Sequence, residues 1–446
     1  MQKEMRESGE QAYASVRAAD LAILCKAVVW TPTMLSALER GVRGGKWYAL
    51  IDKVYNEKNL EVSYERVKKN AGAPGVDRMT VEEYGRNLEE ELERLQEQLK
   101  SKRYEPEPIK RCYIPKPGSA TKRPLGIPTV RDRVVQGAVR QVIEPIFEYE
   151  FSDCSYGFRP GRGCKDALRR VAQGLADGYV HVVDADIENF FGNLDHELLM
   201  ERIELRVADG RVLELIKQFL KQGVLEEGEI SEPQKGTPQG GVISPLLANI
   251  YLDELDKKLE DECLVVRYAD DVVLMCKSAE EANKMLQALE AVVSDLRLTL
   301  HPTKTKIVSM TQPKERFTFL GYDFVVGRQS KIRRYPSMKS SKKLRQKLKM
   351  LTRRNSGKAI AATVKTLNAI LKGWYEYFKH SSARGLKPMD GWVRRRLRAI
   401  LDRNNKKRHS MGYGRAHQRY PNKYFINLGL YTMDAQQAAD IQSAMR

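Results

Sequence analysis

Cysteine is scarce in this chain and never paired. Six cysteines stand at positions 25, 112, 154, 164, 263 and 276 of 446 residues, and no two make a C-x-x-C. That spacing supplies neither a zinc site nor a disulfide framework, so a reducing compartment is the expected setting. No apolar run reaches the roughly 18 residues of a membrane span. The nearest, Leu21 to Trp30, is interrupted by Lys26 and follows a mixed-charge segment. It reads as a buried N-terminal helix and not as a signal peptide. Internal repeats, long low-complexity tracts, a Gly-rich phosphate loop of the Walker type and a Ser/His/Asp triad are all missing.

Acidic residues are nearly missing from one region. Residues 331–420 hold 27 Lys and Arg against 3 Asp and Glu, although the whole chain is only +19, so the remainder is net negative. A surface of that density releases condensed cations from a phosphate backbone, which points to a nucleic acid partner. The 42% hydrophobic and 30% charged content is that of a globular protein, long enough for two or three domains with their own cores.

Patterning gives an α+β chain. Helical periodicity fills the first 75 residues and ends in the loop Gly72-Ala73-Pro74-Gly75. Thr80 to Glu83 reads as a capping box opening a helix with Leu88, Leu92, Leu95 and Leu99 on one face. A basic, Pro- and Gly-rich stretch runs from Tyr104 to Arg133, and helical patterns cover about 132–150 and 165–177. Tyr179 to Ile187 reads as a buried strand, with helices following to about 222. Leu264 to Tyr268 and Val272 to Cys276 read as a hairpin. Ser278 to Glu281 reads as another capping box, opening a helix to about Leu296, and Thr305 to Met310 with Phe317 to Val326 read as a final strand pair. From about 327 the strand signals stop and basic helices take over. The expected domains are therefore 1–75, 76–330 and 331–446.

Three aspartates carry the chemical signal. Asp186 ends one predicted strand, and Asp270 and Asp271 sit at the hairpin turn. Carboxylates at adjacent sheet edges repel one another unless cations lie between them. Two Mg²⁺ ions, hard and oxygen-seeking, suit such a site, with Mn²⁺ as a substitute. A pair of that kind activates an attacking hydroxyl and stabilises a leaving pyrophosphate.

Tyr268-Ala269-Asp270-Asp271 followed by Val-Val-Leu-Met resembles the catalytic box of reverse transcriptases. Further blocks, in order, are similar to those of group II intron reverse transcriptases along nearly the whole chain. They are Arg123-Pro-Leu-Gly-Ile-Pro-Thr-Val-Arg-Asp-Arg-Val-Val-Gln136, Ser155-Tyr-Gly-Phe-Arg-Pro-Gly-Arg-Gly163, Asp186-Ile-Glu-Asn-Phe-Phe191, Gly236-Thr-Pro-Gln-Gly-Gly-Val-Ile-Ser-Pro-Leu-Leu-Ala-Asn249, Leu300-His-Pro-Thr-Lys-Thr-Lys306 and Phe319-Leu-Gly-Tyr322. The resemblance implies a right-hand polymerase of fingers, palm and thumb. It makes Asp186, Asp270 and Asp271 the catalytic metal ligands, helped by the Ile187 backbone carbonyl, with Asp184 behind them. It puts Phe191 at the sugar-discriminating gate. Lys116 and Arg123 become the clamp on the incoming deoxynucleoside triphosphate, Gln239 lies under the nascent base pair, and Lys304 sits near the leaving pyrophosphate. The pattern departs from the family at Gly192, where Asp is usual.

Leu371-Lys-Gly-Trp-Tyr-Glu-Tyr-Phe-Lys-His380 and Trp392-Val-Arg-Arg-Arg-Leu-Arg398 resemble the thumb and maturase-specific region. The implied RNA-binding residues are Trp374, Arg394, Arg395, Arg396, Arg398, Lys406, Lys407 and Arg408. The implied partners are a group II intron RNA, an RNA template, a DNA primer, target DNA and deoxynucleotides, with no membrane. The implied setting is a ribonucleoprotein in a bacterial cytoplasm. With no cysteine after Cys276, neither an endonuclease nor an RNase H domain is expected, and the priming DNA end is made elsewhere. Two other readings remain: a splicing-only RNA-binding maturase, and a domesticated reverse transcriptase in host defence or repair. Phe191 disfavours an RNA-synthesising polymerase, which must admit a 2′-hydroxyl.

Overall fold

The computed structural model describes residues 29–115, 122–327, 331–353, 357, 359–404 and 412–444. The expected N-terminal helix at Leu21 to Trp30 falls outside them except for its last two residues, Val29 and Trp30, which are buried. Two compact units divide the chain, Met1–Ile307 and Val308–Arg446. Among the described residues no helix is long and apolar enough to cross a membrane.

Helices in the first unit follow their apolar spacing. Leu92, Leu95 and Leu99 are buried along one face of Leu88–Lys100. The capping box forms: the Thr80 hydroxyl accepts from the Glu83 amide and the Glu83 carboxylate from the Thr80 amide. It opens a separate short helix, Val81–Arg86, because Asn87 (φ −117°) breaks the run before Leu88. The helix Val130–Glu148 is buried on nearly every side, charged residues included. Polar groups placed there need partners. Asp132 accepts from the Tyr104 hydroxyl (2.8 Å), the Glu107 amide (3.0 Å) and the Gln222 side chain (3.1 Å). Arg133 donates to the carbonyl of Ala73 (2.7 Å). That bond ties down the Gly72–Gly75 loop, where a Cβ on Gly75 would lie 2.7 Å from the Thr129 Cα.

The Asp209 carboxylate accepts from four backbone amides, those of Leu50 (2.7 Å), Ile51 (2.9 Å), Arg211 (3.0 Å) and Val212 (3.2 Å). One side chain thus caps two helices far apart in sequence. Beside it Trp47 exchanges backbone bonds with Arg206 and Ala208, both at 2.8 Å.

Strands β1 (Ile109–Pro115) and β2 (Lys122–Ile127) form an antiparallel hairpin. β3 (His181–Asp186) is the buried strand expected near 179–187. β4 (Val224–Glu226) runs parallel to β1 and pairs with β5 (Glu229–Ser231), giving the order β2-β1-β4-β5. Strands of three residues are too short to show a period in sequence, and this pair was not anticipated. β6 (Leu264–Tyr268) and β7 (Asp271–Cys276) make the expected hairpin. β8 (Lys306–Ser309) completes a second sheet, β6-β7-β3-β8, at the end of the first unit.

In the second unit β9 (Arg316–Phe319), β10 (Tyr322–Val326) and β11 (Ile332–Pro336) form an antiparallel sheet. This sheet departs from the pattern of its sequence in two ways. The run Phe317 to Val326 is two strands, because Leu320 (φ +46°) and Gly321 (φ +78°) turn the chain inside it, and β8 pairs elsewhere. β11 is a strand past residue 327. Its Arg333 and Arg334 hid it, since an edge strand with half-buried positions carries no apolar alternation. Two helices supply the core. Val364, Leu367, Leu371 and Tyr375 line Ile360–Phe378, and Leu386, Met389, Val393, Leu397 and Ile400 line Ala383–Asn404 at steps of three and four.

Candidate active site

The β6–β7 turn and the end of β3 meet at one edge of the second sheet. The register pairs Asp186 with Asp271 directly, and Tyr268 with Asp271 across the hairpin. Only Ala269 and Asp270 lie between the two strands, and Ala269 takes a left-handed conformation (φ +57°) that costs a non-glycine residue free energy.

Three buried groups behind the turn hold that conformation. Arg267 is wholly buried and makes two bonds to Asp256, at 2.7 and 2.5 Å. Its remaining donors reach the Asn249 side-chain oxygen (3.1 Å) and the Ala269 carbonyl (3.0 Å). Asn249 in turn donates to the Gly157 carbonyl (2.9 Å). Residues 154–156 lie along β6, with the Tyr156 amide bonded to the Arg267 carbonyl at 2.9 Å. A Cβ at Gly157 would run into the Ala269 amide, so this glycine is required by close approach. Arg267, Asp256 and Asn249 were not singled out from the sequence. Their signal was an arginine inside an otherwise apolar strand, with an aspartate among the leucines of Ser244–Leu259 to pair with it.

The carboxylates crowd one another. Burial, then the charges of Asp270, Asp186 and Asp184, pushes Asp271 up to about 7. Its carboxylate still opens to solvent at the mouth of the site, while the strands beneath desolvate it. Asp270 is raised by burial and by Asp186, with Arg123 and Lys304 opposing. Burial lifts Asp184 to about 6 against the pull of Lys306, 3.8 Å away. The Lys304 ammonium lies 2.7 Å from the Asp186 carboxylate. Backbone pairing brings it there: His301 donates to the Asp186 carbonyl (2.7 Å), and Ile187 bridges to Leu300.

Carboxylate oxygens crowded at one sheet edge suit hard divalent cations. Among the described residues, however, no three His, Cys, Asp or Glu side chains close on a point as a finished metal cage. Asp186 is turned to Lys304.

Phe191 is half-buried and packs edge-to-face on Phe190 (5.3 Å), whose own ring sits in the core against Tyr251. Phe191, Arg111, Gly192, Lys235 and Gln239 line a cleft of about 260 Å³ between β1, β2 and the 236–239 loop. Backbone bonds from Thr237 to Phe191 and from Gly236 to Leu194, both 2.7 Å, seat the loop, and the His196 ring meets the Gly236 carbonyl at 2.6 Å. Gly236 (φ +87°) has no room for a side chain, since a Cβ would lie 2.7 Å from the Phe191 carbonyl oxygen. The Gln239 carbonyl accepts from Gly126 of β2 at 2.8 Å. Arg123 is exposed on β2. Lys116 lies outside the described residues, as do Lys406, Lys407 and Arg408.

The basic helices of the second unit divide differently from expectation. Arg398 is buried and donates to the Tyr420 carbonyl and the Asn422 side chain, both at 2.8 Å. It holds the C-terminal helices and has no surface to offer RNA, which corrects its assignment. Arg396 is part-buried against Thr352, to whose carbonyl it donates at 2.7 Å. Trp374 packs on Phe378 with ring centres 4.5 Å apart. Arg395 is exposed, and Arg394 is half-buried. The helix Met338–Leu351 instead exposes Lys339, Lys342, Lys343, Arg345, Lys347 and Lys349 and contains no acidic residue.

Comparison with known proteins gives two family matches. Residues 114–324 match "Reverse transcriptase (RNA-dependent DNA polymerase)". Residues 341–420 match "Group II intron, maturase-specific domain". The chain is 34% identical to "Group II intron-encoded protein LtrA" of Lactococcus lactis subsp. cremoris, over 62% of this chain and 57% of that protein. It is also 34% identical to "Protein YkfC" of Escherichia coli (strain K12), over 58% of this chain and 77% of YkfC. An "Uncharacterized 91 kDa protein in cob intron" of Schizosaccharomyces pombe is 29% identical, with 60% of this chain and 40% of that protein covered. The chain thus spans little more than half the length of the Lactococcus relative.

Proposed function

Because the chain belongs to the reverse transcriptase and maturase family encoded by group II introns, we propose that it copies RNA into DNA and binds an intron RNA to assist its splicing and mobility. One observation carries the polymerase half: Asp186 and Asp271 are register partners on adjacent strands, with Asp270 in the turn between β6 and β7.

The residues divide the work. Asp186, Asp270 and Asp271 would hold Mg²⁺, with the Ile187 carbonyl beside them, and Mn²⁺ as a substitute. The ions supply the charge that the attacking 3′-hydroxyl and the leaving pyrophosphate require. Arg123, and Lys116 with it, binds the triphosphate, for which a guanidinium offers a planar fork. Lys304 neutralises the carboxylates until substrate arrives and then faces the pyrophosphate. Gln239 supports the nascent pair from the cleft floor. Exposed lysines of Met338–Leu351 and Arg395 contact intron RNA. Template, primer, target DNA and deoxynucleotides are the substrates, and a ribonucleoprotein in a bacterial cytoplasm is the setting.

The test is extension of a DNA primer on a defined RNA template with Mg²⁺ and deoxynucleotides. Extension by the wild type supports the polymerase. A folded, RNA-binding wild type that adds no nucleotide overturns it in favour of a splicing-only maturase.

Phe191 gives a second expected result. A flat ring against the sugar leaves no space for a 2′-hydroxyl, so Phe191→Val is expected to lower deoxy-over-ribonucleotide preference by roughly 100-fold. Single-nucleotide kinetics with both sugars measures it, and unchanged discrimination would remove Phe191 from the gate. RNA binding offers a third. Lys342→Gln, Lys343→Gln and Lys347→Gln together are expected to reduce the salt slope of binding by about 2. Arg398→Gln is expected to lower the melting temperature instead. An unaltered slope in the triple variant takes this helix out of the interface.

A further inference from the structure

Phe158 combines three features that oppose one another in a soluble protein. It is a large apolar side chain, 49% exposed. It occupies the left-handed region at φ +59°, where a bulky residue is strained. It stands beside the β6–β7 turn, its ring 6.4 Å from that of Tyr268.

The surroundings leave the loop no freedom to relax. On one side Gly157 is pressed against the Ala269 amide and its carbonyl is held by Asn249. On the other, Arg159 is buried and forks onto Glu148, with bonds of 2.9 and 2.7 Å. Arg159 also donates to the carbonyls of Ser152 and Ser155. Residues 157 and 159 are thus fixed inward, and the phenyl group between them is held out in solvent. Strain maintained by flanking bonds points to use.

The neighbourhood says what for. Tyr268, next to Phe158, immediately precedes the Ala269-Asp270-Asp271 turn. Cys164 opens a helix, Cys164–Ala176, with exposed Lys165 and Arg170, neither ion-paired among the described residues. An exposed aromatic ring at the edge of the carboxylate site, with exposed cations on the helix that follows it in the chain, fits a stacked, phosphate-bearing strand.

We propose that Phe158 is a docking step for the end of the template–primer duplex, its ring packed against the terminal base pair beside the Asp270–Asp271 turn. This rests on the polymerase reading above and adds a contact surface outside the carboxylates and the Phe191 cleft.

The experiment is anisotropy of a labelled DNA primer annealed to an RNA template, without deoxynucleotides, alongside thermal unfolding. The proteins are the full-length wild type, Phe158→Ala, Phe158→Tyr and Phe158→Gly. Loss of one aromatic stacking contact is expected to weaken duplex binding about tenfold in the Ala and Gly variants. Tyr is expected to restore it. Glycine accepts φ +59° without strain, so Phe158→Gly is expected to melt no lower than the wild type while binding worse. A merely structural side chain would move both readouts together.

Unchanged duplex affinity in the Ala and Gly variants overturns the inference. So does a loss of affinity that follows a lower melting temperature, or a change confined to self-association. In each of those cases the wild type still extends primers and the polymerase reading stands. A wild type that neither binds the duplex nor extends it overturns both.

Discussion

An Asp271→Asn protein is expected to lose primer extension and yet to melt at a higher temperature than the wild type in metal-free buffer. The activity loss follows from removing a metal-ligating oxygen, and about a thousandfold, or roughly 4 kcal/mol of barrier, is the expected scale. The stability gain follows from the same crowding. Burial and three neighbouring aspartates push the folded Asp271 carboxyl up to about 7, against about 4 in an unfolded chain. The folded state therefore retains a proton that the unfolded chain has released. That contribution is present in full below about pH 4 and declines as pH rises to about 7. The amide removes the decline. Unfolding in a chelator across that window, set beside extension with Mg²⁺, measures both halves. A variant that melts lower, or an unaltered pH slope, would show that the carboxylates do not oppose one another.

Arg267 supplies the largest expected effect on folding. Arg267→Ala strands the Asp256 carboxylate in a fully buried site. Breaking a buried pair from one side costs about 3–5 kcal/mol. Replacing both partners, as Arg267→Met with Asp256→Leu, removes the stranded charge, and most of that stability is expected to return. Activity is not. The double variant still lacks the donors that hold the Ala269 carbonyl and the Asn249 side chain, and the turn bearing Asp270 loses its support. Chemical denaturation and primer extension on the single and double variants separate the two consequences. Full activity in a stable double variant would reduce Arg267 to a packing residue.

The sequence was legible where chemistry and periodicity coincide. Asp186, Asp270 and Asp271 stood out because apolar strands flank them, and the register brings them together. The Thr80 box and the Ser278 cap were legible because a cap is a local event with a fixed spacing, although the Glu281 carboxylate accepts from the Lys277 amide and leaves the second box half made. Three kinds of feature were not. Short strands such as β4 and β5 lie below the length at which alternation shows. β11 is masked by its arginines, which an edge strand tolerates. Arg396 and Arg398 belong to a run that reads as one basic face, but a helix turns about 100° per residue, so neighbours in a run face different surroundings. Arg398 turns inward and Arg395 outward. Charge density pointed to a partner class, and only packing could sort which cations are left exposed for it.

The double cap at Asp209 bears on how the chain is made. Leu50 and Ile51 cannot be capped, nor Trp47 bridged, until residues 206–212 exist. A ribosome adding about 5–20 residues per second needs roughly 10–30 s to cover that distance. Through that interval the amides of Leu50 and Ile51 wait without their cap, although the helix Glu57–Asn70 already has Val130–Glu148 to pack on, with Asn59 bonded to the Ala138 carbonyl. The Asp209 cap is thus a late event of synthesis, and the amides it binds are made well before it. Slow translation across this stretch would lengthen the wait of those two amides for their acceptor.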